Sequence, residues 1–351
     1  MEKRMEKIVL LGKTPEELKE IAVAAGLPQY AGKQIARWLY VRRARSIDEM
    51  TDLSKAGRES LKERAEVGVI EPESFVTSTD GTRKYLFKVR CRITESEWEE
   101  SFIEAVMIPD GERKTLCVSS EAGCKMGCRF CMTGRQGFHG YLSARDILSQ
   151  ILSIEESADL TNVVFMGMGE PFDNYEEVKR ALDVMTEPWG LAWSPKRVTV
   201  STIGVIPTLK RFLDESRCHL AVSLHDPFPE ERASLMPVEK AYPLKDILAL
   251  IRRYDFTGQR RVSFEYTMFS GLNDSLRHAD ELARLLRGLE CRVNLIRFHK
   301  IPDFDYYTSS PDAMEAFRER LERRGVTATI RASRGEDIFA ACGLLAGQHG
   351  K

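Results

Sequence analysis

Three cysteines, Cys124, Cys128 and Cys131, stand in the run Gly123-Cys124-Lys125-Met126-Gly127-Cys128-Arg129-Phe130-Cys131, a C-x3-C-x2-C spacing. Three thiolates on one short loop suit an iron–sulfur cluster, which ordinarily takes four protein ligands. A cluster held by three leaves one iron open, and an open iron is a chemical site rather than a structural one. The competing readings are buried free thiols or a zinc knuckle in which His139 supplies the fourth ligand.

Further polar residues sit where apolar strand patterns stop. Met166-Gly167-Met168-Gly169-Glu170-Pro171 is one such place. Its glycines let the backbone approach a ligand closely, and Glu170 is an acceptor for an ammonium group. Ser201, in Val200-Ser201-Thr202-Ile203-Gly204, and the triplet Ser223-Leu224-His225 are others. Each suits contacts to a ribose or a carboxylate, and each taken singly also fits an ordinary turn.

The elements that must position these residues follow a strand–helix alternation. Strands are expected at Leu116–Ser119, Asn162–Met166, Arg197–Ser201, His219–Leu224, Arg261–Met268 and Arg292–Phe298, with Val326–Arg331 as a further one. Amphipathic helices are expected between them, at Ala144–Glu155, Tyr175–Met185, Pro207–Asp214, Leu244–Arg253, Ser275–Leu286 and Pro311–Arg323. Such alternation implies an α/β fold with a parallel sheet and right-handed crossovers. Six repeats are too few for a closed eight-fold barrel, so an open, partial barrel is expected. Ligands in such sheets bind at the carboxyl ends of the strands, and the cysteine loop follows the first strand.

Two smaller regions precede the barrel. Residues 1–68 read as a helical module, with Thr14-Pro15-Glu16-Glu17 as a helix start, a second helix through Gln34–Tyr40 and a third after Asp52-Leu53-Ser54. Residues 69–108 read as a β-rich connector around an Asp80-Gly81 hairpin turn. Residues 109–351 carry the barrel and a C-terminal loop. The 351 residues are 43% hydrophobic and 30% charged with net charge −1, as for a soluble globular chain. Locally, residues 1–45 hold ten Lys/Arg against five Asp/Glu. This is either a solvated face or a polyanion-binding one. The start of the chain leads into no apolar leader, and no stretch approaches the ~20 apolar residues of a membrane span. A reducing, cytoplasmic setting is expected, with the eight cysteines free, ligating or reactive rather than paired in a disulfide framework.

The cysteine spacing after a first barrel strand resembles the radical S-adenosylmethionine (SAM) superfamily. Further runs narrow the resemblance: Arg113-Lys114-Thr115-Leu116-Cys117-Val118-Ser119-Ser120, Cys131-Met132-Thr133-Gly134-Arg135-Gln136-Gly137-Phe138, the Met166–Pro171 run, and Arg334-Gly335-Glu336-Asp337-Ile338-Phe339-Ala340-Ala341-Cys342-Gly343. With the helical module they resemble, over essentially the whole chain, the RlmN/Cfr family of RNA adenine methyltransferases. The Arg135–Phe138 stretch is more similar to the RlmN branch, which methylates carbon 2, than to Cfr, which methylates carbon 8.

The resemblance implies a partial (β/α)6 TIM-type radical SAM barrel. It also implies a 4Fe-4S cluster on Cys124, Cys128 and Cys131 and two SAM molecules per turnover, the cofactor held by Gly169, Glu170, Ser201, Ser223, Leu224, His225 and His299. His299 stands where the family carries Asn, and Ile203 where it often carries Ser. Within the resemblance Cys342 takes a methyl group from the first SAM. The radical from the second abstracts a hydrogen from it, and the methylene radical adds to the base. Cys117 then attacks the Cys342 sulfur, releasing product and leaving a transient disulfide, while Glu104 removes the carbon-2 proton. Glu104 lies among Ile103, Ala105 and Val106, so an apolar setting that tunes it as a base is expected.

The implied partners are 23S rRNA, at the peptidyl-transferase centre, and tRNA at position 37, with an electron donor such as flavodoxin or ferredoxin, acting on a monomer. An enzyme working on an adenine ring must take it out of its stack. Lys33, Arg37, Arg42, Arg43 and Arg45 are the expected RNA contacts. The alternatives are carbon-8 or tRNA-only specificity, or a non-catalytic RNA-binding protein with a structural metal.

Overall fold

In the computed structural model of the chain, residues 7–347 other than 259 are described. Glu2, Lys3, Arg4 and Glu6, part of the basic balance counted over residues 1–45, lie outside that range. The N-terminal module comprises β1 (Ile8–Val9), α1 (Pro15–Ala24), α2 (Ala31–Ala36), α3 (Lys55–Arg64) and β2 (Ala65–Glu66). Thr14 and Glu17 form the capping box expected of a Thr-Pro-Glu-Glu start, with Thr14 N donating to Glu17 Oε2 at 2.7 Å. The second helix is α2 followed by one π-helical turn, Arg37–Val41, which buries Trp38, Leu39 and Tyr40. β1 and β2 pair in parallel, so the first and last segments of the module meet.

The connector begins with β3 (Ser74–Thr77), β4 (Arg83–Arg92) and β5 (Trp98–Asp110). Then come β6 (Arg113–Cys117), β7 (Glu121–Gly123), α4 (Met132–Gln136), β8 (Phe138–Tyr141), α5 (Ala144–Leu152), β9 (Asn162–Phe165), α6 (Tyr175–Thr186), β10 (Val198–Thr202), α7 (Ile206–Glu215) and β11 (His219–Ser223). The chain continues through α8 (Pro229–Leu235), α9 (Leu244–Ile251), β12 (Val262–Met268), α10 (Leu276–Leu286), β13 (Cys291–Arg297), α11 (Pro311–Arg323) and β14 (Thr327–Ile330). Strands β6, β9, β10, β11, β12, β13 and β14 are parallel neighbours in chain order, giving the expected open α/β barrel sheet.

One expectation is corrected and another refined: the β-rich connector continues the barrel sheet, because β5 pairs antiparallel with β6 and carries β4 and β3 into it. The cysteines do not follow directly on the first barrel strand. The chain first turns through β7, which pairs antiparallel with β8. Helix α8 was not visible in the strand–helix pattern, being a short element inside the crossover from β11 to β12.

The registers decide which side chains face the barrel interior. Cys117 lies opposite Val164, Val164 opposite Thr199, and Ser223, Glu265 and Asn294 form one row across three strands. Because side chains alternate faces along a strand, these polar residues line the interior. Val200, Val222, Phe264 and Val293 point outward into the buried layer under the helices.

The module is fastened to the barrel. Tyr40 packs edge-on against Trp189, Arg180 pairs with Glu17 at 2.6 Å, and Arg43 donates to Ser157 Oγ at 2.9 Å. Arg45 donates to Leu152 O at 2.7 Å and pairs with Glu71. Among the described residues no helix is long and apolar enough to cross a membrane.

Candidate active site at the carboxyl ends of the strands

The cysteine loop is shaped by glycines. Gly123 has φ +73°, and a Cβ there would meet Gly137 O at 2.0 Å, so the loop closes on itself only because that side chain is absent. Cys124 N donates to Gly137 O at 2.8 Å, and Cys131 caps α4. Burial pushes the Cys128 thiol up to about 12, with Cys131 beside it adding to the shift. Burial also raises the Cys124 thiol, with Glu121 and Cys128 as like-charged neighbours. Arg232 acts against the shift at Cys128 without overcoming burial; bound metal ions would supply the positive charge that holds such thiols as thiolates.

A single zinc with bonds of about 2.3 Å sets its sulfurs roughly 3.8 Å apart; among the described residues the three cysteines, with or without His139, form no set of ligand atoms within 4.8 Å of one another. Two buried polar atoms beside the loop, Ser120 Oγ and Glu121 Oε1, have no hydrogen-bond partner.

Glu170 is buried at the end of the second parallel strand. Its Oε1 accepts from Phe172 N at 3.1 Å and its Oε2 from Ile203 N at 2.9 Å, and burial pushes its carboxyl up to about 7. Glu121, which sequence reasoning missed, backs it: Glu121 Oε2 accepts the Glu170 amide at 2.9 Å. Gly169 has φ +98°, and a Cβ there would lie 2.5 Å from Glu121 Cβ, so glycine is what lets the two acids approach. Burial pushes Glu121 up to about 9. An ammonium group would be received by this pair.

A second residue missed from sequence, Arg232, ties the strand ends together. It is fully buried on α8 and donates to Leu224 O at 2.9 Å, Ser223 O at 3.0 Å and Ile203 O at 3.3 Å, with Glu239 as its counter-charge. Ser223 and Leu224 thus offer their carbonyls to Arg232, while Ser201 and Ser223 stay half-buried on the interior face. His225 is buried in the left-handed region, φ 57°, its Nδ1 accepting from Thr267 N at 3.0 Å. Burial, with Arg232 nearby, pushes it down to about 3, so it is neutral. Its ring packs edge-on against Phe130 of the cysteine loop, which joins loop and strand end.

The C-terminal loop reaches the same place. Met132 N donates to Gly343 O at 2.8 Å and Thr133 Oγ1 to Leu345 O at 2.7 Å. Cys342 is exposed, and its thiol is raised by burial of its surroundings, with Arg331, Glu265 and Cys131 as charged neighbours. Cys117, on the interior face of β6, is raised by burial and then by Cys342 itself, so the two thiols lie within electrostatic reach of each other. The loop is anchored at its start by the β3–β4 turn: Asp80 Oδ2 accepts Gly335 N at 3.0 Å, and Asp337 accepts Ser78 Oγ at 2.5 Å and Thr79 N at 3.1 Å.

Glu104 is buried two residues from the β5 position opposite Cys117 and on the same sheet face, a diagonal spacing of roughly 7–8 Å. The expected apolar setting is corrected: Lys84 Nζ pairs with Oε1 at 3.0 Å, and Ala346 N and Gly347 N donate to Oε2 at 2.8 and 3.2 Å. His299 is half-buried and faces the C-terminal segment, its Nε2 3.0 Å from Ser333 Oγ and its Nδ1 3.9 Å from Glu336. As arranged here it serves that segment. Of the basic residues, Arg43 and Arg45 fasten the module to the barrel, while Lys33, Arg37 and Arg42 are exposed. The Arg42 guanidinium lies 4.1 Å over the Trp38 ring.

Known proteins share this arrangement. Residues 118–286 match the radical SAM superfamily, and residues 8–67 match the ribosomal RNA large subunit methyltransferase N-terminal domain. A probable dual-specificity RNA methyltransferase RlmN from Porphyromonas gingivalis is 60% identical, covering 97% of this chain and 94% of its own. A dual-specificity RNA methyltransferase RlmN from Syntrophus aciditrophicus is 40% identical, covering 98% of each. The crystal structure of a radical SAM methyltransferase from Sphaerobacter thermophilus superposes with a TM-score of 0.88 at 40% identity, covering 97% of this chain and all of that one.

The anchor at the loop's start has a measurable consequence. Asp337→Ala removes the contacts to Ser78 and Thr79 without touching the turn, a loss of about 1–1.5 kcal/mol. Amide hydrogen exchange over residues 335–347 should speed up roughly tenfold. Unchanged exchange there would show that the turn does not hold the loop.

Proposed function

The chain belongs to the RlmN family of radical SAM RNA methyltransferases, and from that premise we propose that it methylates carbon 2 of adenine in 23S rRNA, at the peptidyl-transferase centre, and in tRNA at position 37. The observation that supports this reading is that Cys342, far from Cys117 in sequence, comes within electrostatic range of it on a loop whose Gly343 carbonyl accepts from the amide of Met132, next to Cys131. A general radical generator needs the loop alone. A two-thiol exchange needs the other pair as well.

Cys124, Cys128 and Cys131 would hold the cluster, and Gly169, Glu170, Ser201, Ser223, Leu224 and His225 would hold SAM. His299 takes a lesser part, its ring being turned to Ser333 and Glu336. When bound, cluster and two molecules of SAM supply first a methyl group and then a radical able to take a hydrogen atom from it. The protein's own work is the rest. Cys342 Sγ carries the methyl group and, through the resulting methylene carbon, becomes bonded to carbon 2 of the base. Glu104 takes the carbon-2 proton of this adduct, and the adduct's unpaired electron would pass to the electron carrier, which restores the aromatic ring. Cys117, as thiolate, then attacks the Cys342 sulfur. The sulfur–carbon bond breaks, its electron pair stays with the product carbon, which takes up a proton to become the methyl group, and a Cys117–Cys342 disulfide remains for a thiol reductant to open.

The position of Glu104 adds a condition to this sequence. Its Oε2 is engaged by the Ala346 and Gly347 amides, so it cannot take a proton from a base until that end of the C-terminal loop leaves. The motion that carries Cys342 from methyl donor to RNA therefore also unmasks the base. Lys33, Arg37 and Arg42 on the N-terminal module would contact RNA phosphates. An electron donor of the flavodoxin or ferredoxin kind, a monomeric state and a cytoplasmic location complete the proposal.

Anaerobically purified protein should be brown and hold roughly four iron and four sulfide per chain, lost in the Cys124/Cys128/Cys131 triple alanine variant. A colourless protein carrying zinc would end this reading. Cys117→Ala should stall after carbon–carbon bond formation and leave RNA covalently attached, seen as an RNase-sensitive band. The band should vanish when Cys342→Ala is added, and its persistence would overturn the role of Cys342. Charge reversal at Arg37 and Arg42 should weaken RNA binding and flatten its salt dependence by about one log–log unit per lost phosphate contact. An unchanged slope would remove the module from the RNA interface.

A further inference from the structure

Outside the cysteine site, three side chains from three elements converge. Asp226 follows His225 directly, Glu231 lies in the first turn of α8, and His278 lies near the start of α10. One donor atom from each comes within 4.8 Å of the other two. Asp226 is fully buried. Its Oδ1 accepts from Phe228 N at 2.8 Å, while its Oδ2 is buried with no hydrogen-bond partner. Glu231 Oε2 lies 2.8 Å from His278 Nε2, and His278 Nδ1 lies 2.6 Å from Ser275 Oγ. Ser275 can therefore accept from Nδ1–H and turn the Nε2 lone pair toward the two carboxylates, as supporting residues do for ligating histidines.

The charges here do not balance. Arg277 approaches Glu231 Oε1 only to 3.7 Å and spreads its guanidinium over the Phe228 ring at 4.0 Å. Arg232 is committed to Glu239 and three carbonyl groups. Two carboxylates, one of them wholly buried, thus share one loosely placed cation. A buried carboxylate oxygen without a partner is costly. A water molecule would satisfy the oxygen and leave the charge, and a proton on Oδ2 would remove the charge but leave a buried donor without an acceptor; a metal ion answers both.

We propose that Asp226, Glu231 and His278 form a binding site for a divalent first-row transition ion. One imidazole nitrogen and two carboxylate oxygens suit such ions. Bonds of about 2.1 Å would set the donors roughly 3–3.5 Å apart; the Glu231–His278 pair is already at 2.8 Å, and the other donors, within 4.8 Å, need shift by no more than roughly 1.5–2 Å. The Glu231 side chain is 32% exposed and gives the ion a route in. Bound there, the ion ties the turn after β11 to α8 and α10. It thereby fixes the strand end that carries Ser223, Leu224 and His225, without taking part in the reaction.

The test is an electron paramagnetic resonance titration of the full-length, cluster-loaded protein with Mn(II), following the six-line signal of the free ion. Mn(II) prefers nitrogen and oxygen to thiolate, so the cysteines do not compete. Wild type should withdraw one ion per chain and gain thermal stability with Mn(II). Asp226→Asn, which keeps the oxygen facing Phe228, and His278→Gln should each weaken uptake by about tenfold or more and abolish that gain, with cluster content unchanged. Should one variant fail to melt like wild type without Mn(II), the other decides. No uptake by wild type, or equal uptake by a folded variant, overturns the proposal.

Discussion

At the carboxyl ends of the parallel strands Glu121 and Glu170 are buried and Cys117 and Cys128 half-buried, and burial pushes each toward its protonated form. Gathering thiols and carboxylates in one low-dielectric place is unfavourable unless cations or hydrogen-bond donors meet them. The chain provides few cations of its own there. Arg232 is the buried one, and it is spent on carbonyls of two strand ends and on Glu239. Much of the surrounding structure follows from this shortage: backbone amides of Ile203 and Phe172 reach Glu170, and glycines at 123 and 169 allow chains to approach where a side chain would collide. A multi-iron cluster and a cofactor ammonium are the charges that such a site awaits.

The same constraint shapes the C-terminal loop. In the proposed reaction Cys342 must be free to leave, yet Ala340, Ala341, Leu344 and Leu345 around it are buried in the core, so its departure would uncover them as well as break the loop's hydrogen bonds. The β3–β4 turn holds its start, the cysteine loop holds its middle and Glu104 holds its end. The residue that accepts the proton in the proposed reaction is thus also a latch for the residue that carries the methyl group. Strand β5 makes this possible by joining the barrel sheet through β6, which places Glu104 and Cys117 on one face.

Much of the fold was legible because buried parallel strands and amphipathic helices leave strong local patterns. The helix Pro311–Arg323 was expected at those bounds, and β9 through β13 lie within a residue or two of expectation. Short elements were not legible. β7, β8, α4 and α8 have too few residues to set up a period, and the π-helical turn at Arg37–Val41 is set by packing. In the site, Cys124, Cys128 and Cys131 stood out by spacing. Glu265 and Asn294 did not, although the alternation Ser263, Glu265, Thr267 in an otherwise apolar strand marks an interior polar face. Arg232 and Glu121 carried no local signal, since an arginine or a glutamate in sequence reads as surface.

By itself the sequence determined the chemistry on offer: three cysteines at a ligand spacing, two further thiols in contexts that resemble the family's, a glycine-rich strand end with Glu170, and the α/β order that puts them at one end of a sheet. These depend on residue type and short-range spacing, which a chain states directly. Only the tertiary structure decided which groups meet. It set Cys342 within electrostatic range of Cys117 and turned His299 toward the C-terminal segment. It gave Arg43 and Arg45 to the module's attachment and surrounded Glu104 with Lys84 and two loop amides instead of apolar neighbours. Those outcomes depend on register and on contacts between residues far apart in the chain, where burial and pairing, rather than local pattern, set the energy of each charged group.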